Sequence, residues 1–183
     1  MTSSPTISVI DDGSHHMGTL TAHSPLWASH GAGGSILSWI QYCLNRPAQG
    51  VTVCGQEDVL QPSGSTCPAS VMVSARWMEP DPAMLPEFGE HVISEDGVLL
   101  AAHAEEEILQ AWRNGDVAKV QKATTPKVVK VRTLDAPWDL SDLLHHALGR
   151  RVADMTSTAV PSGVHVLGDA PVRLEEGAKV DPG

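Results

Sequence analysis

Two carboxylates and two imidazoles stand close together near the start of the chain, in the stretch ISVIDDGSHHMGTL from Ile7 to Leu20. Asp11 and Asp12 directly follow an apolar, β-branched run, and His15 comes after one glycine and one serine. Carboxylate oxygens bind hard divalent cations, and an imidazole beside them can accept a proton. Aspartate and glycine also favour turns, in which an aspartate caps its own backbone. The stretch therefore predicts a polar turn, with a metal and acid–base site at Asp11, Asp12 and His15 as the alternative.

The segment IDDGSHH resembles a short motif of metal-dependent small-molecule O-methyltransferases of the macrolide-sugar type. The resemblance implies that Asp11 and Asp12 help to bind magnesium and that His15 is the base near the reacting hydroxyl. Members of that family hold S-adenosylmethionine with a glycine-rich loop and several strands that precede the motif. Ten residues precede Asp11 in this sequence, so we expect no S-adenosylmethionine site.

A second group of potential metal ligands lies in the segment from Gly97 to Asn114, which we expect to be the longest helix. His103, Glu106 and Glu107 are spaced at i, i+3 and i+4, which places them on one helix face, as in carboxylate–histidine metal clusters. The same face continues as Gln110. We therefore expect this face to be solvated and His103 to be a surface histidine.

Composition indicates one globular domain without a nucleic-acid or membrane partner. The chain has 183 residues and a formal net charge of −10, whereas nucleic acids and anionic membranes attract positively charged surfaces. No apolar run is long enough to span a bilayer, and the first residues do not have the pattern of a signal peptide. From these two features we expect a cytoplasmic protein. The three cysteines are odd in number and widely spaced, so we expect reduced thiols at Cys43, Cys54 and Cys67.

Acidic and basic residues are segregated along the chain. Met78 to Ala111 contains nine acids and no Lys or Arg, whereas Val117 to Leu134 contains five basic residues and no acid. Opposite charges on separate exposed segments can set the register and rate of association between molecules. We therefore predict an interface for self-association or for a larger assembly, formed by Glu105, Glu106, Glu107, Lys127, Lys130, Arg132 and Trp138.

Hydrophobic periodicity predicts an α+β fold with about three helices and a mixed or antiparallel sheet. Ile36 to Leu44 has the apolar stripe of a helix, as does Leu140 to Val152. The third helix is the segment from Gly97 to Asn114. Strands are expected at residues 51–54, 70–77, 127–134 and 163–168.

These patterns predict an extended N-terminal arm over residues 1–31, a single α+β domain over 32–167 and a C-terminal tail over 168–183. An arm whose only charged side chains are Asp11 and Asp12, a weakly folding tail and segregated charges are typical of an assembly subunit. We therefore expect a non-catalytic structural protein without a cofactor, such as a component of a virus particle, in which case it is located in the virion. The alternative is a small transferase or hydrolase that uses a divalent metal at Asp11, Asp12 and nearby histidines.

Overall fold

The computed structural model describes residues 6–13, 26–28, 34–54, 70–154, 158–162, 164–169, 172, 174 and 179. In these ranges the chain has the predicted α+β class, with an open, mixed six-stranded sheet and four α-helices. The strands are β1 (Thr6–Asp11), β2 (Ala48–Val53), β3 (Ser70–Ser74), β4 (Glu90–Ser94), β5 (Leu99–His103) and β6 (Thr125–Val129). The helices are α1 (Ile36–Leu44), α2 (Glu106–Arg113), α3 (Val117–Ala123) and α4 (Asp139–Ala153).

The strands are arranged in the order β2-β1-β3-β5-β4-β6. β1 is parallel to β2 and to β3, and β4 is parallel to β6. β5 is antiparallel to its neighbours β3 and β4. All strands of this sheet except β5 therefore point in one direction, and their carboxyl ends meet at one edge.

Apolar side chains cover both faces of the sheet, because successive residues of a strand point to opposite sides. Val9 and Val73 belong to a large buried cluster that includes residues of α1 and α4. Ile10 and Met72, their chain neighbours, belong to a second cluster that includes residues of α2 and α3. The helices thus form a layer on each face of the sheet.

Helix α1 begins and ends where its sequence predicts. The side chain of Ser35 accepts a hydrogen bond from the backbone N–H of Ser38, which satisfies one free donor of the first turn. Asn45 ends the helix in the left-handed conformation, with φ at 49°. The apolar stripe predicted for this helix is buried, as its members Ile36, Trp39, Ile40, Cys43 and Leu44 all lie in the core.

The predicted N-terminal arm is wrong for the residues that form β1. Thr6–Asp11 lies between β2 and β3, and Val9 and Ile10 are fully buried. A strand covered on both faces reads as a short apolar run without strict alternation. Such a run indicates a strand less clearly than strict alternation does. The scarcity of charged residues in this segment favours an arm more strongly.

The predicted helix from Gly97 to Asn114 is also wrong in its first half. β5 occupies Leu99–His103, and only Glu106–Arg113 is helical. Gly97, with φ at 81°, lies in the tight turn that joins β4 to β5. Strand pairing therefore overrides a helical pattern that extends through both elements.

Other boundaries differ by less. β6 ends at Val129 instead of 134, and residues 164–168 form no strand. The four α-helices of the described ranges exceed the three expected, because α3 was not predicted. Of the predicted tail, only residues 168, 169, 172, 174 and 179 are described. Across the described part of the chain, no helix combines the length and apolar character needed to cross a bilayer.

Candidate functional site

The candidate site lies at the carboxyl ends of β1 and β3. From β1 the chain proceeds to β2 on one side, whereas from β3 it proceeds to β4 and β5 on the other side. In open sheets built from parallel strands, ligands bind in the crevice outside the carboxyl ends where the connections diverge in this way. Asp11 is the last residue of β1, Asp12 and Gly13 follow it, and Ser74 is the last residue of β3.

Asp11 forms the polar turn that the sequence predicts. Its side chain is 1% exposed, and Oδ1 accepts a hydrogen bond of 3.3 Å from the backbone N–H of Gly13. The backbone carbonyl of Asp11 accepts a bond of 2.9 Å from the N–H of Cys54, at the end of β2. Asp11 therefore shapes the end of β1 and ties it to β2.

Asp12 is half-buried and faces Ser74. The hydroxyl of Ser74 donates a hydrogen bond of 2.6 Å to Oδ1 of Asp12, and it accepts one of 3.1 Å from the backbone N–H of Arg76. The Ser74 hydroxyl is thereby held in place from both sides. Its proton is directed at the carboxylate.

Burial raises the pKa of Asp12 from 3.8 to about 6, because the charged carboxylate loses hydration. The hydrogen bond from Ser74 and the positive charge of Arg76 lower the pKa by less than burial raises it. A carboxyl group with a pKa near 6 exchanges a proton readily near neutral pH. Such a group is suited to general acid or base catalysis.

Arg76 packs beneath the turn. A Cβ atom at Gly13 would lie 2.5 Å from Cγ of Arg76, so glycine allows the arginine side chain to pass directly against the backbone. The guanidinium forms an ion pair with Asp135, and Nε donates to the carbonyl of Leu134 at 3.4 Å. Burial lowers the pKa of Arg76, although the charge of Asp12 opposes this effect.

The thiol of Cys54 lies at the same edge of the sheet. Its Sγ donates to the carbonyl of Trp112 at 3.6 Å. Burial raises the pKa of Cys54, and the negative charges of Asp12 and Asp11 raise it further. These effects favour the neutral thiol, whereas nucleophilic cysteines require the thiolate.

The structure places Asp11 and Asp12 together but gives them different surroundings, and His15 lies outside the described residues. Among the residues described, no three His, Cys, Asp or Glu side chains are arranged to hold a metal ion. Asp12 is the carboxylate of this site that accepts the hydrogen bond from Ser74. A metal at Asp11, Asp12 and His15 stays a prediction.

The second group of potential metal ligands is divided between two elements. His103 ends β5, whereas Glu106 and Glu107 begin α2, so the expected common helix face does not exist. The ring of His103 contacts Phe88 edge-on. Each glutamate pairs with a basic residue of its own chain, as described below.

The predicted interface residues are mostly at the surface. Trp138 is 73% exposed, Lys127 is half-buried, and the other five are exposed. Three of them form ion pairs within the chain: Glu106 with Arg113, Glu107 with Lys119 and Arg132 with Asp142. Contact between these charges on different molecules stays a prediction.

Ser74 and Arg76 were not identified from the sequence. Ser74 follows the apolar run VMV within the strand predicted over residues 70–77, and the sequence does not indicate that the strand ends there. The polar side chain of Ser74 indicates a site only when β3 is known to lie beside β1. A comparison with models of known protein families and with curated proteins finds no match to this chain.

Proposed function

We propose that the protein is an enzyme that binds a small polar substrate at the carboxyl ends of β1 and β3 and uses Asp12 as its acid–base group. The observation that carries the proposal is the hydrogen bond from Ser74 to Asp12 at this crevice, together with the raised pKa of Asp12. In a transferase or hydrolase reaction, the carboxylate of Asp12 would accept the proton of an attacking hydroxyl group or water molecule.

Each residue beside Asp12 has a defined role in this proposal. Asp11 holds the turn, Ser74 orients the carboxylate of Asp12, and the stem of Arg76 supports the turn from below. A divalent cation bound at Asp12 would be a further part of this proposal. Magnesium is commonly held by one or two carboxylates together with groups of the substrate.

A fragment screen monitored by two-dimensional NMR of the backbone amides tests the proposal. Fragments that bind should shift the amide signals of Gly13, Cys54 and Ala75, and Asp12→Asn should abolish the change in their affinity between pH 5 and 7, around the pKa of about 6. Asp96→Asn, in the exposed turn between β4 and β5, is the matched control. Fragments that map only to other surfaces, or the absence of binding at this edge, would refute the proposal. Elemental analysis and titration with magnesium, manganese and zinc test whether a divalent metal binds at Asp12.

A second candidate function is that of a self-associating assembly subunit, and the outer face of α4 favours it. Trp138, Leu148 and Val152 are 73%, 46% and 42% exposed, and at 100° per residue they fall within an arc of about 80°. An exposed apolar stripe of this kind is typical of a protein–protein contact. We propose a second copy of the chain as the partner.

Sedimentation velocity at two salt concentrations tests this second candidate. The wild type should sediment faster than a monomer at high protein concentration, and Trp138→Ser should restore the monomer. Phe88→Ser removes an exposed aromatic ring from another surface, where Phe88 is 58% exposed, and should have no effect. If charged segments contribute, association should weaken as salt is raised. A wild type that remains monomeric under all conditions would exclude self-association.

A further inference from the structure

A second concave site lies away from Asp12, on the sheet face covered by α1 and α4. It is a cavity of about 480 Å³ between the ends of these helices, the segment 78–84 and the segment 130–132. Small-molecule sites commonly have volumes of about 300–1,000 Å³. Part of its wall is apolar and consists of Met78, Pro80, Pro82, Met84 and Val131.

The guanidinium of Arg150 is held at the edge of this cavity by two aromatic rings. Its Cζ lies 5.8 Å from the ring centroid of Trp39 and 6.0 Å from that of Tyr42, within the range of cation–π contacts. Trp39 is itself fixed, because its Nε1 donates a hydrogen bond of 2.6 Å to the carbonyl of Met78. These contacts favour a position of the guanidinium at the cavity, although the Arg150 side chain is 47% exposed.

The donors of Arg150 are not saturated by the groups that surround it. Glu79 Oε1 lies 3.9 Å from Nη1, which is longer than a hydrogen bond, and the same oxygen contacts Nε2 of His146. Nη1 also lies 3.9 Å from Sγ of Cys43, which is a weak acceptor. A planar guanidinium with free donors binds carboxylate or phosphate oxygens in a bidentate manner.

Two more cations line the cavity from the chain after β6. Arg132 is already paired with Asp142, whereas Lys130 is exposed and has no carboxylate within ion-pair distance among the described residues. Asp81 also lines the cavity, but its Oδ1 accepts a hydrogen bond of 2.8 Å from the backbone N–H of Ala83. The carboxylate of Asp81 keeps its negative charge, and the two lining cations without a hydrogen-bonded carboxylate partner in the described ranges are Arg150 and Lys130.

We propose that this cavity binds the carboxylate or phosphate group of a small molecule, with Arg150 and Lys130 as the anion ligands and the methionine and proline side chains as the wall for its apolar body. The site does not depend on the proposed function of Asp12, because the cavity shares no lining residue with that site. Glu79 and Asp81 limit the affinity for an anion, since both carboxylates line the same cavity.

Binding of three probes with the same ring tests the proposal at fixed ionic strength. The probes are benzoate, phenyl phosphate and neutral benzyl alcohol, and binding is followed through the amide signals of Glu79, Lys130 and Val131. Benzoate or phenyl phosphate should bind saturably and at least roughly tenfold more tightly than benzyl alcohol. The tighter of the two anions identifies the ligand group as carboxylate or phosphate.

Variants then assign the affinity to individual side chains. Arg150→Met and Lys130→Ala should each weaken anion binding, the former by roughly tenfold or more, whereas Glu79→Gln should strengthen it. Lys122→Ala, an exposed lysine on α3, is the matched control and should bind as the wild type does. If Arg150→Met does not fold, Arg150→Lys retains the charge without the planar fork and should still lose affinity. Equal binding of benzyl alcohol, no saturable binding of either anion, or wild-type affinity in the Arg150 and Lys130 variants would overturn the proposal.

Discussion

Replacing Asp12 by asparagine should stabilise the protein at neutral pH. The folded state raises the pKa of Asp12 from 3.8 to about 6, so above pH 6 folding must retain an ionised carboxylate in a site that favours the neutral acid. One pKa unit corresponds to about 1.4 kcal/mol, and the whole rise corresponds to about 3 kcal/mol. Asparagine carries no charge, and its Oδ1 can still accept the hydrogen bond from Ser74. We expect a gain of up to about 3 kcal/mol at pH 7.5.

The pH dependence of this gain follows from proton linkage. Below pH 3.8 the carboxyl is protonated in both the folded and the unfolded state, so Asp12 imposes no penalty. Between about pH 4 and 6 the folded state binds more protons than the unfolded state, and the contribution of Asp12 to stability falls as the pH rises. Above pH 6 the penalty is complete and constant. The difference between Asp12→Asn and the wild type should therefore grow from near zero at pH 4 to its full value at pH 7.

Urea unfolding monitored by tryptophan fluorescence measures the effect, because Trp39, Trp77 and Trp112 are fully buried and will report global unfolding. The free energy of unfolding is compared for the wild type, Asp12→Asn and the control Asp96→Asn at pH 4, 5, 6 and 7.5. An Asp12→Asn variant that is less stable than the wild type at pH 7.5 would refute the reasoning. So would a difference that does not change with pH.

Five further substitutions, at four positions, test the turn after β1 and the helices α1 and α4. Gly13→Ala should destabilise the protein by about 1–3 kcal/mol, because the new Cβ would lie 2.5 Å from Cγ of Arg76. Thermal unfolding measures this loss, and an unchanged midpoint would mean that the turn relaxes around the new Cβ. Leu143→Ala should cost about 2–5 kcal/mol, whereas Leu148→Ala on the outer face of α4 should cost less than about 1 kcal/mol; equal losses in urea unfolding would mean that α4 is oriented differently. Asn45→Ala should lower the free energy of unfolding by about 1 kcal/mol, because φ is 49° at this position. Asn45→Gly should cause no such loss in the same urea assay, because glycine adopts this conformation without strain.

The sequence predicts the helices whose stability depends on local pattern. In α1 the apolar residues recur with the helical period, and all five of them are buried. In α4 the predicted stripe is wider than the buried face, since Leu143 and Ala147 are buried but Leu148 and Val152 are partly exposed. Periodicity therefore locates a helix, whereas the width of its buried face depends on what packs against it.

The strands are less predictable because their partners are distant in sequence. β5 is stabilised by pairing with β3 and β4, and Leu99 and Ala102 are buried on one face while Leu100 and Ala101 belong to the cluster on the other. A segment that is buried on both faces has no alternation to distinguish it from a helix. The sequence of β1 lies in a segment with few charged residues, and this composition favours an arm over a strand.

The candidate site depends on a contact that no local pattern contains. Asp12 and Ser74 are 62 residues apart in sequence, and they meet because Ile10 of β1 is paired with Ser74 of β3. The sequence shows two identical neighbours, Asp11 and Asp12, and provides no reason to distinguish them. In the structure the last residue of β1 bends back to cap the turn, and the next residue meets the Ser74 hydroxyl. One carboxylate thereby caps the backbone of the turn, and the other has a raised pKa because burial removes its hydration, although the hydrogen bond from Ser74 lowers that pKa in part.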